Sequence, residues 1–328
     1  MNIRERIEQQ EIDFLNQYAT KSKFSLGREN KEIPDEIRTC FSQDRDRIIH
    51  SHAFRREKDK TQVFILPNND HIMNRLTHTL EVTQIATTLA TALNLNSSLA
   101  EAIALGHDTA HTCFGHAGER ALNKISLENN LGGYNHAKQA YRRLNIISNL
   151  NLTKEVLDGI ENHSGLSNNP NALTLEGKLI PFADKIAYLT SDMENAISMG
   201  IIKDYPDFVK NELGKNKSEI ITTLVNSIIE TSYNKNQINM EDSIYKSFVA
   251  FRDFNFNEIY FNEVLQEENK KCEFIIRYLY EHFLKYPETI THMSSKDNLK
   301  LSIIDYIAGM TDKYAMKLFT NTQVKRNY

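Results

Sequence analysis

Seven of the eleven histidines in this chain fall between His50 and His116, and such crowding points to metal or proton-transfer chemistry. His107 and Asp108 are adjacent near the end of a segment whose earlier positions are apolar. Neighbouring side chains on a helix point about 100° apart, yet both of these can reach one ion standing beyond the helix end. His78 lies on the preceding helical segment, and the short turn between the two packs them antiparallel. Asp184 follows Phe182 and Ala183, a setting in which an unpaired carboxylate is costly. Two imidazoles and two carboxylates suit Mn, Fe, Co, Ni or Zn, and Mg less well. With no cysteine among them they do not describe a structural zinc site. A His–Asp adjacency alone is equally at home among hydrogen-bonded core or surface residues. His111, one helical turn after His107, and then His116 and Glu119 add weight to a site.

The elements that must position these groups read as helices. Val82, Ile85, Leu89 and Ala92 recur at three- and four-residue spacing within Leu76 to Leu93. Ser98 with Glu101 predicts a capping box for the next helix, whose face carries Leu99, Ile103 and Gly106. Further helices are predicted over Thr153 to His163 and about Leu173 to Asn195. Pro181 should kink the second of these or mark its first turn, just before Asp184. An apolar stripe from Ile220 to Ile229 predicts a helix within the polar stretch Lys210 to Asn239. A last helix covers roughly Leu301 to Leu318, interrupted by Gly309. Five of the 12 glycines fall between Gly106 and Gly133, marking turns and closely packed backbone in the histidine-rich region. Period-two alternation is scarce, so at most one small hairpin is expected, near Thr61 to Ile65. The fold class is all-α.

Length and composition set the frame. A chain of 328 residues with 40% apolar and 25% charged residues is that of a globular protein with a substantial core. No run of 18 apolar residues occurs, so no membrane span is expected, and the acid-bearing N-terminus reads as that of a cytoplasmic protein. Cys40, Cys113 and Cys272 have no paired spacing. The net charge of −4 gives no support to a general nucleic-acid binder. The stretch Asp44 to Lys60, however, gathers Arg45, Arg47, Arg55, Arg56, Lys58 and Lys60 beside two histidines. It is either a local anion site, for phosphate or polynucleotide, or a solvated face of alternating charge.

The pieces DRDRIIHSHAFRREKDKTQVF, NRLTHTLEVTQIA, EAIALGHDTAHTCFGHAGERALN, GGYNHAKQA, LNLTKEVLDGI and DYIAGMTDKYA closely resemble the deoxynucleoside triphosphate triphosphohydrolases of the HD superfamily. The resemblance runs from about residue 41 to 195 and resumes near 300 to 316. It implies an HD-type catalytic core over 41–200, preceded by a helical and loop segment over 1–40. A C-terminal helical region over 201–328 would then return to the site near 300–316. The chain departs from the family pattern at Thr109-Ala110, at Cys113, at Glu57 where leucine is common, and at Met73-Asn74. None of these removes a candidate ligand.

The family pattern places the metal ligands on His78, His107, Asp108 and Asp184, one divalent ion per site, with additional Mg accompanying the substrate. It implies metal-dependent hydrolysis of a deoxynucleoside triphosphate, dGTP favoured, to the deoxynucleoside and inorganic triphosphate. His116 and Glu119 would form the acid/base pair, with His111 and His136 as further contacts to the phosphates or leaving oxygen. One ion does not balance a triphosphate, so Arg75, Arg55, Arg56 and Lys185 are the cations expected around it, arginine offering a planar fork. The resemblance sets Tyr188 and Asp192 near the deoxyribose, and their i+4 and i+8 spacing from Asp184 puts all three on one helix face. A homo-oligomer, often a hexamer in this family, is expected. The alternatives are another HD phosphohydrolase, acting on monophosphates or cyclic nucleotides, and a nucleotide- or nucleic-acid-binding protein without turnover.

Overall fold

A computed structural model describes residues 1–328 except 66–68, 166, 169, 291–292, 294–297 and 324–328. Fifteen α-helices order the described residues, and no strand forms among them. After α1 (Ile3–Phe14), a short pair, α2 (Cys40–His50) and α3 (His52–Arg56), leads into α4 (Arg75–Ala92), α5 (Ser97–Gly106) and α6 (Gly115–Glu128). Next come α7 (His136–Tyr141), α8 (Lys154–Glu161) and the long α9 (Leu175–Ser198). The C-terminal part holds α10 (Asp207–Glu212), α11 (Lys217–Ser232), α12 (Asp242–Asn255), α13 (Glu263–Lys285), α14 (Leu299–Ala308) and α15 (Asp312–Gln323).

The larger core lies where α4, α5 and α9 pack on one another, with α2 and α8 against α5. Of the apolar stripe expected on α4, Val82, Ile85 and Leu89 are buried there, at most 1% exposed, while Ala92 is half-buried. Glycines on both sides of the α5–α8 contact, Gly106 facing Ile160 and Gly159 facing Ile103, let the two helices approach closely. A Cβ built on Gly159 of α8 would sit 2.5 Å from Ile103 Cδ1 of α5. A second, smaller core joins Leu122 and Ile125 of α6 to Ile276, Leu279 and Phe283 of α13 and to Ile303 and Ile307 of α14. Gly309 interrupts the last helical segment as expected, separating α14 from α15. Pro181 lies inside α9, beyond its first turn.

One expectation is corrected. The cap of α5 is Asn96, two residues before Ser98, its side chain accepting from Leu99 N at 3.2 Å. Asn96 wins because it is held from both sides: its N–H donates to Glu176 Oε1 at 2.9 Å and its amide to Thr20 O at 2.9 Å. Glu101 pairs with Arg45 at 3.3 Å instead. Within the limit of at most one small hairpin near Thr61 to Ile65, the described residues there form only one isolated bridge, between Thr61 and Asn74. The Thr61 carbonyl accepts from Arg75 and its N–H donates to Asp312, leaving nothing for a ladder to extend.

Candidate metal centre and its cavity

Asn74 starts α4 by a reciprocal cap: its side chain accepts from Thr77 N at 3.0 Å, and Thr77 Oγ1 accepts from Asn74 N at 3.1 Å. Asparagine therefore does here what threonine does at a helix start. The cap sets the register that turns Arg75 and His78 inward, both at most 1% exposed. At the far end of α5, His107 Nδ1 lies 2.6 Å from the carbonyl of Ala104. Since a carbonyl only accepts, Nδ1 carries the proton and Nε2 presents its lone pair to the interior. Asp108 follows, and Asp184 enters from α9.

These four groups converge. Asp184 Oδ1 lies 3.1 Å from His78 Nε2 and 3.8 Å from His107 Nε2. Asp108 Oδ2 lies 3.7 Å and 3.6 Å from the same two nitrogens. Both buried Nε2 atoms lack a hydrogen bond of proper geometry, a costly state unless a cation takes their lone pairs. The donor set fits a divalent ion of the Mn, Fe, Co, Ni or Zn kind. Burial would raise the Asp108 carboxyl, but Arg75 and the surrounding imidazoles outweigh it and hold the group well below its usual range. Burial is likewise overridden at Asp184, by Lys185 and His78.

The neighbouring wall is built by α6. The chain enters this helix through two successive left-handed residues, Phe114 (φ 60°) and Gly115 (φ 54°). Phe114 is kept there by its buried ring and by its N–H donating to Asp312 Oδ1 at 2.8 Å. This entry aims His116 and Glu119 at the cavity. Glu119 accepts from His136 N at 2.8 Å, and its oxygens lie 2.9 Å from His136 Nδ1 and 3.2 Å from His116 Nδ1. Against burial, the His116 and His136 bonds draw Glu119 below its usual range, while the bond to Glu119 raises His136 despite burial. His111 is buried with both ring nitrogens unpartnered, and burial with Arg75 pushes it well down, toward the neutral form.

A cavity of about 970 Å³ opens over these groups. Arg75, Lys185, Tyr188 and Asp192 line it, whereas Arg55 and Arg56 do not. The predicted phosphate role of those two arginines therefore finds no support in the cavity: Arg55 is exposed on α3 and Arg56 half-buried beside Arg143 and Lys60. Arg75 is already engaged, one nitrogen on Asp108 and the other donating to Thr61 O at 3.0 Å. Lys185 Nζ stands 3.4 Å from Asp184 Oδ2. Asp192 accepts from Tyr260 O–H at 2.8 Å through Oδ2, leaving Oδ1 unpartnered. Burial pushes its carboxyl up to about 7.

Sequence reasoning missed several groups. His163, 2% exposed, closes the cluster, its Nε2 3.1 Å from His136 Nε2. Burial, with His107 and His136 nearby, holds it down to about 3. Its signal was a histidine at a predicted helix end, as at His107. Tyr260, Arg252 and Gln266 complete the far wall from α12, α13 and the turn between them. Nothing periodic distinguishes those residues.

The HD domain family matches residues 75–189, and the phosphohydrolase-associated domain matches residues 238–321. Whole-chain relatives include the deoxyguanosinetriphosphate triphosphohydrolase-like protein of Clostridium perfringens (strain SM101 / Type A), 45% identical over 342 residues and 99% of both chains. A protein of the same description from Caldanaerobacter subterraneus subsp. tengcongensis is 43% identical over 96% of this chain and 94% of its own. Another, from Clostridium tetani, is 41% identical over 99% and 97%. Among solved structures, a hypothetical protein from Aquifex aeolicus superposes with a TM-score of 0.47 at 16% identity, covering 84% of this chain and 67% of its own.

Proposed function

Since the chain belongs to the HD-domain family of deoxyguanosinetriphosphate triphosphohydrolase-like proteins, we propose that it hydrolyses deoxynucleoside triphosphates, dGTP favoured, to the deoxynucleoside and inorganic triphosphate. One observation carries the reading: four ligand-type side chains meet beneath a cavity whose adjoining wall presents a histidine–carboxylate pair. A divalent ion held by His78, His107, Asp108 and Asp184 would polarise an α-phosphate oxygen and the attacking water.

The chain's own residues supply the rest. Glu119 stays ionised and orients two imidazoles, so it serves as acceptor rather than proton donor. His116, with a side chain 65% exposed at the cavity wall, is the group that can hand a proton to the leaving 5′ oxygen and recover it from solvent. Arg75 and Lys185, each beside a ligand carboxylate, offset charge on the phosphates. The unpartnered Oδ1 of Asp192 accepts a sugar hydroxyl, and the Tyr188 ring beside it leaves no room for a 2′-hydroxyl.

Incubation with each deoxynucleotide, singly and in mixtures with Mg or Mn, followed by product identification, tests the reading. Intact triphosphate is expected, with GTP turned over far more slowly than dGTP. Orthophosphate or a linearised cyclic nucleotide would point to another HD phosphohydrolase. Tight binding without product over hours would point to a non-catalytic binder.

A further inference from the structure

The far wall of the cavity hangs on one wide turn. Helix α12 ends at Asn255, and Phe256–Tyr260 continue it as a π-helical turn, closed by Phe261 N donating to the Phe256 carbonyl at 3.0 Å. Such turns are rare and occur frequently at functional sites. Phe256, Asn257 and Glu258 are exposed, so this one is fastened at its two ends. At the first, Asn255 Nδ2 donates to the Leu189 carbonyl of α9 at 2.9 Å. At the second, the Tyr260 hydroxyl donates to Asp192 Oδ2 at 2.8 Å, while its carbonyl accepts from Gln266 Nε2 at 2.7 Å. Leu189 follows Tyr188 directly and precedes Asp192 by three residues, so both attachments to α9 fall beside the proposed sugar contacts.

Asn255 is 0% exposed, does not line the cavity, and has no hydrogen bond on its Oδ1. A buried amide with an orphaned oxygen is costly where an apolar side chain of the same size is not, so what it supplies is its N–H. That N–H takes the spare lone pair of a carbonyl inside α9, and any effect on substrate runs through Tyr260. Burial, then Asp192 and Tyr188, push the Tyr260 hydroxyl well above its usual range, so it stays a donor. It occupies one oxygen of Asp192, and the unpartnered Oδ1 is left for one sugar hydroxyl. With Oδ2 released, the carboxylate can accept both hydroxyls of a ribose cis-diol. We propose, resting on the sugar contact assigned to Asp192 above, that Asn255 is a specificity-determining positioning residue. It pins the turn to α9, so that Tyr260 occupies Asp192 Oδ2 and the slot accepts a deoxyribose in preference to a ribose.

In the full-length chain, Asn255→Leu keeps the volume and removes the donor. The ratio of kcat/KM for dGTP to that for GTP should fall about tenfold or more. Tyr260→Phe, which removes only the hydroxyl, should show the same fall, and the double variant no further fall, because two residues acting through one bond are not additive. Equal slowing of both nucleotides, an unchanged ratio, or additive effects in the double variant overturns the proposal. Amide hydrogen exchange over residues 256–262 should be faster in Asn255→Leu than in the wild type, and equal exchange counts against the pinned turn. Melting curves check folding, with Asn255→Ala in reserve if the leucine variant does not fold. Calorimetric binding of deoxyguanosine and guanosine reads the same preference without turnover, and no preference in the wild type overturns the proposal as well. A deoxyguanosine preference lost in Asn255→Leu, without triphosphate release by the wild type, leaves the positioning role standing and sinks the triphosphohydrolase reading. Triphosphate release with a ratio unmoved in Asn255→Leu does the reverse.

Discussion

Asp108 and Glu119 are both buried carboxylates held ionised against burial, but by different partners. Around Asp108 stand Arg75, His107, His111 and His78; around Glu119 stand His116, His136 and His111. The Asp108→Ala variant is accordingly expected to lose metal and turnover together. Glu119→Ala should keep its metal and slow the chemical step by ~10²-fold or more, as metal analysis beside single-turnover rates would reveal. Wild-type activity in Asp108→Ala would remove the ion from this location. Glu57 behaves differently: it is fully buried with neither oxygen hydrogen-bonded, and burial, then Asp108, push its carboxyl well above the usual range. A folded pKa above the unfolded one means the folded state binds the proton more tightly. Its favourable contribution is thus complete at low pH and is lost as pH rises from about 4.3 toward the raised value. Glu57→Leu should stabilise the fold by about 1–3 kcal/mol at pH 8 and by much less near pH 4.5. Equal gains in melting temperature at both pH values would contradict this account.

At the scale of elements, ligand placement depends on how closely α5 and α8 approach. The Cα of Gly159 faces Ile103, and an added Cβ would lie within 2.9 Å of three of its side-chain carbons. Gly159→Ala should cost about 1–3 kcal/mol by overpacking, read from denaturant midpoints. It should also displace His163, which follows α8 on the same stretch of chain. Period and composition made several of the fifteen helices legible: α4, α8, α9 and α11 lie where the apolar recurrences put them. The cap of α5 was not legible, because Ser98 and Asn96 are both good capping residues. The choice between them came from Thr20 and Glu176, remote in sequence.

Across the whole molecule, the start of α15 bonds to two segments that line the cavity, at Thr61 and Phe114. Asp312, 2% exposed at the start of α15, accepts from Thr61 N and Oγ1 with one oxygen and from Phe114 N with the other. Lys60 meanwhile donates to the carbonyls of His111 and Ala308. Removing the Asp312 carboxylate orphans two backbone donors, so Asp312→Ala should cost about 1–3 kcal/mol. It should also lower kcat, since Phe114 then no longer holds the entry to α6; melting curves and initial rates check both. Chelation is expected to lower the melting temperature of the wild type and Mn²⁺ to restore it, because an ion bound only by the folded state stabilises it by mass action.

The sequence by itself determined the helical class and brought His78, His107, Asp108 and Asp184 under suspicion, since periodicity and residue chemistry are local properties that a linear chain records. Only the tertiary structure decided that Arg55 and Arg56 lie outside the cavity, that Tyr260 stands on Asp192, and that His163 faces His136. Those relations join residues 27 to 68 positions apart in the case of the last two pairs, and they depend on packing angles and turn geometry that no spacing rule encodes.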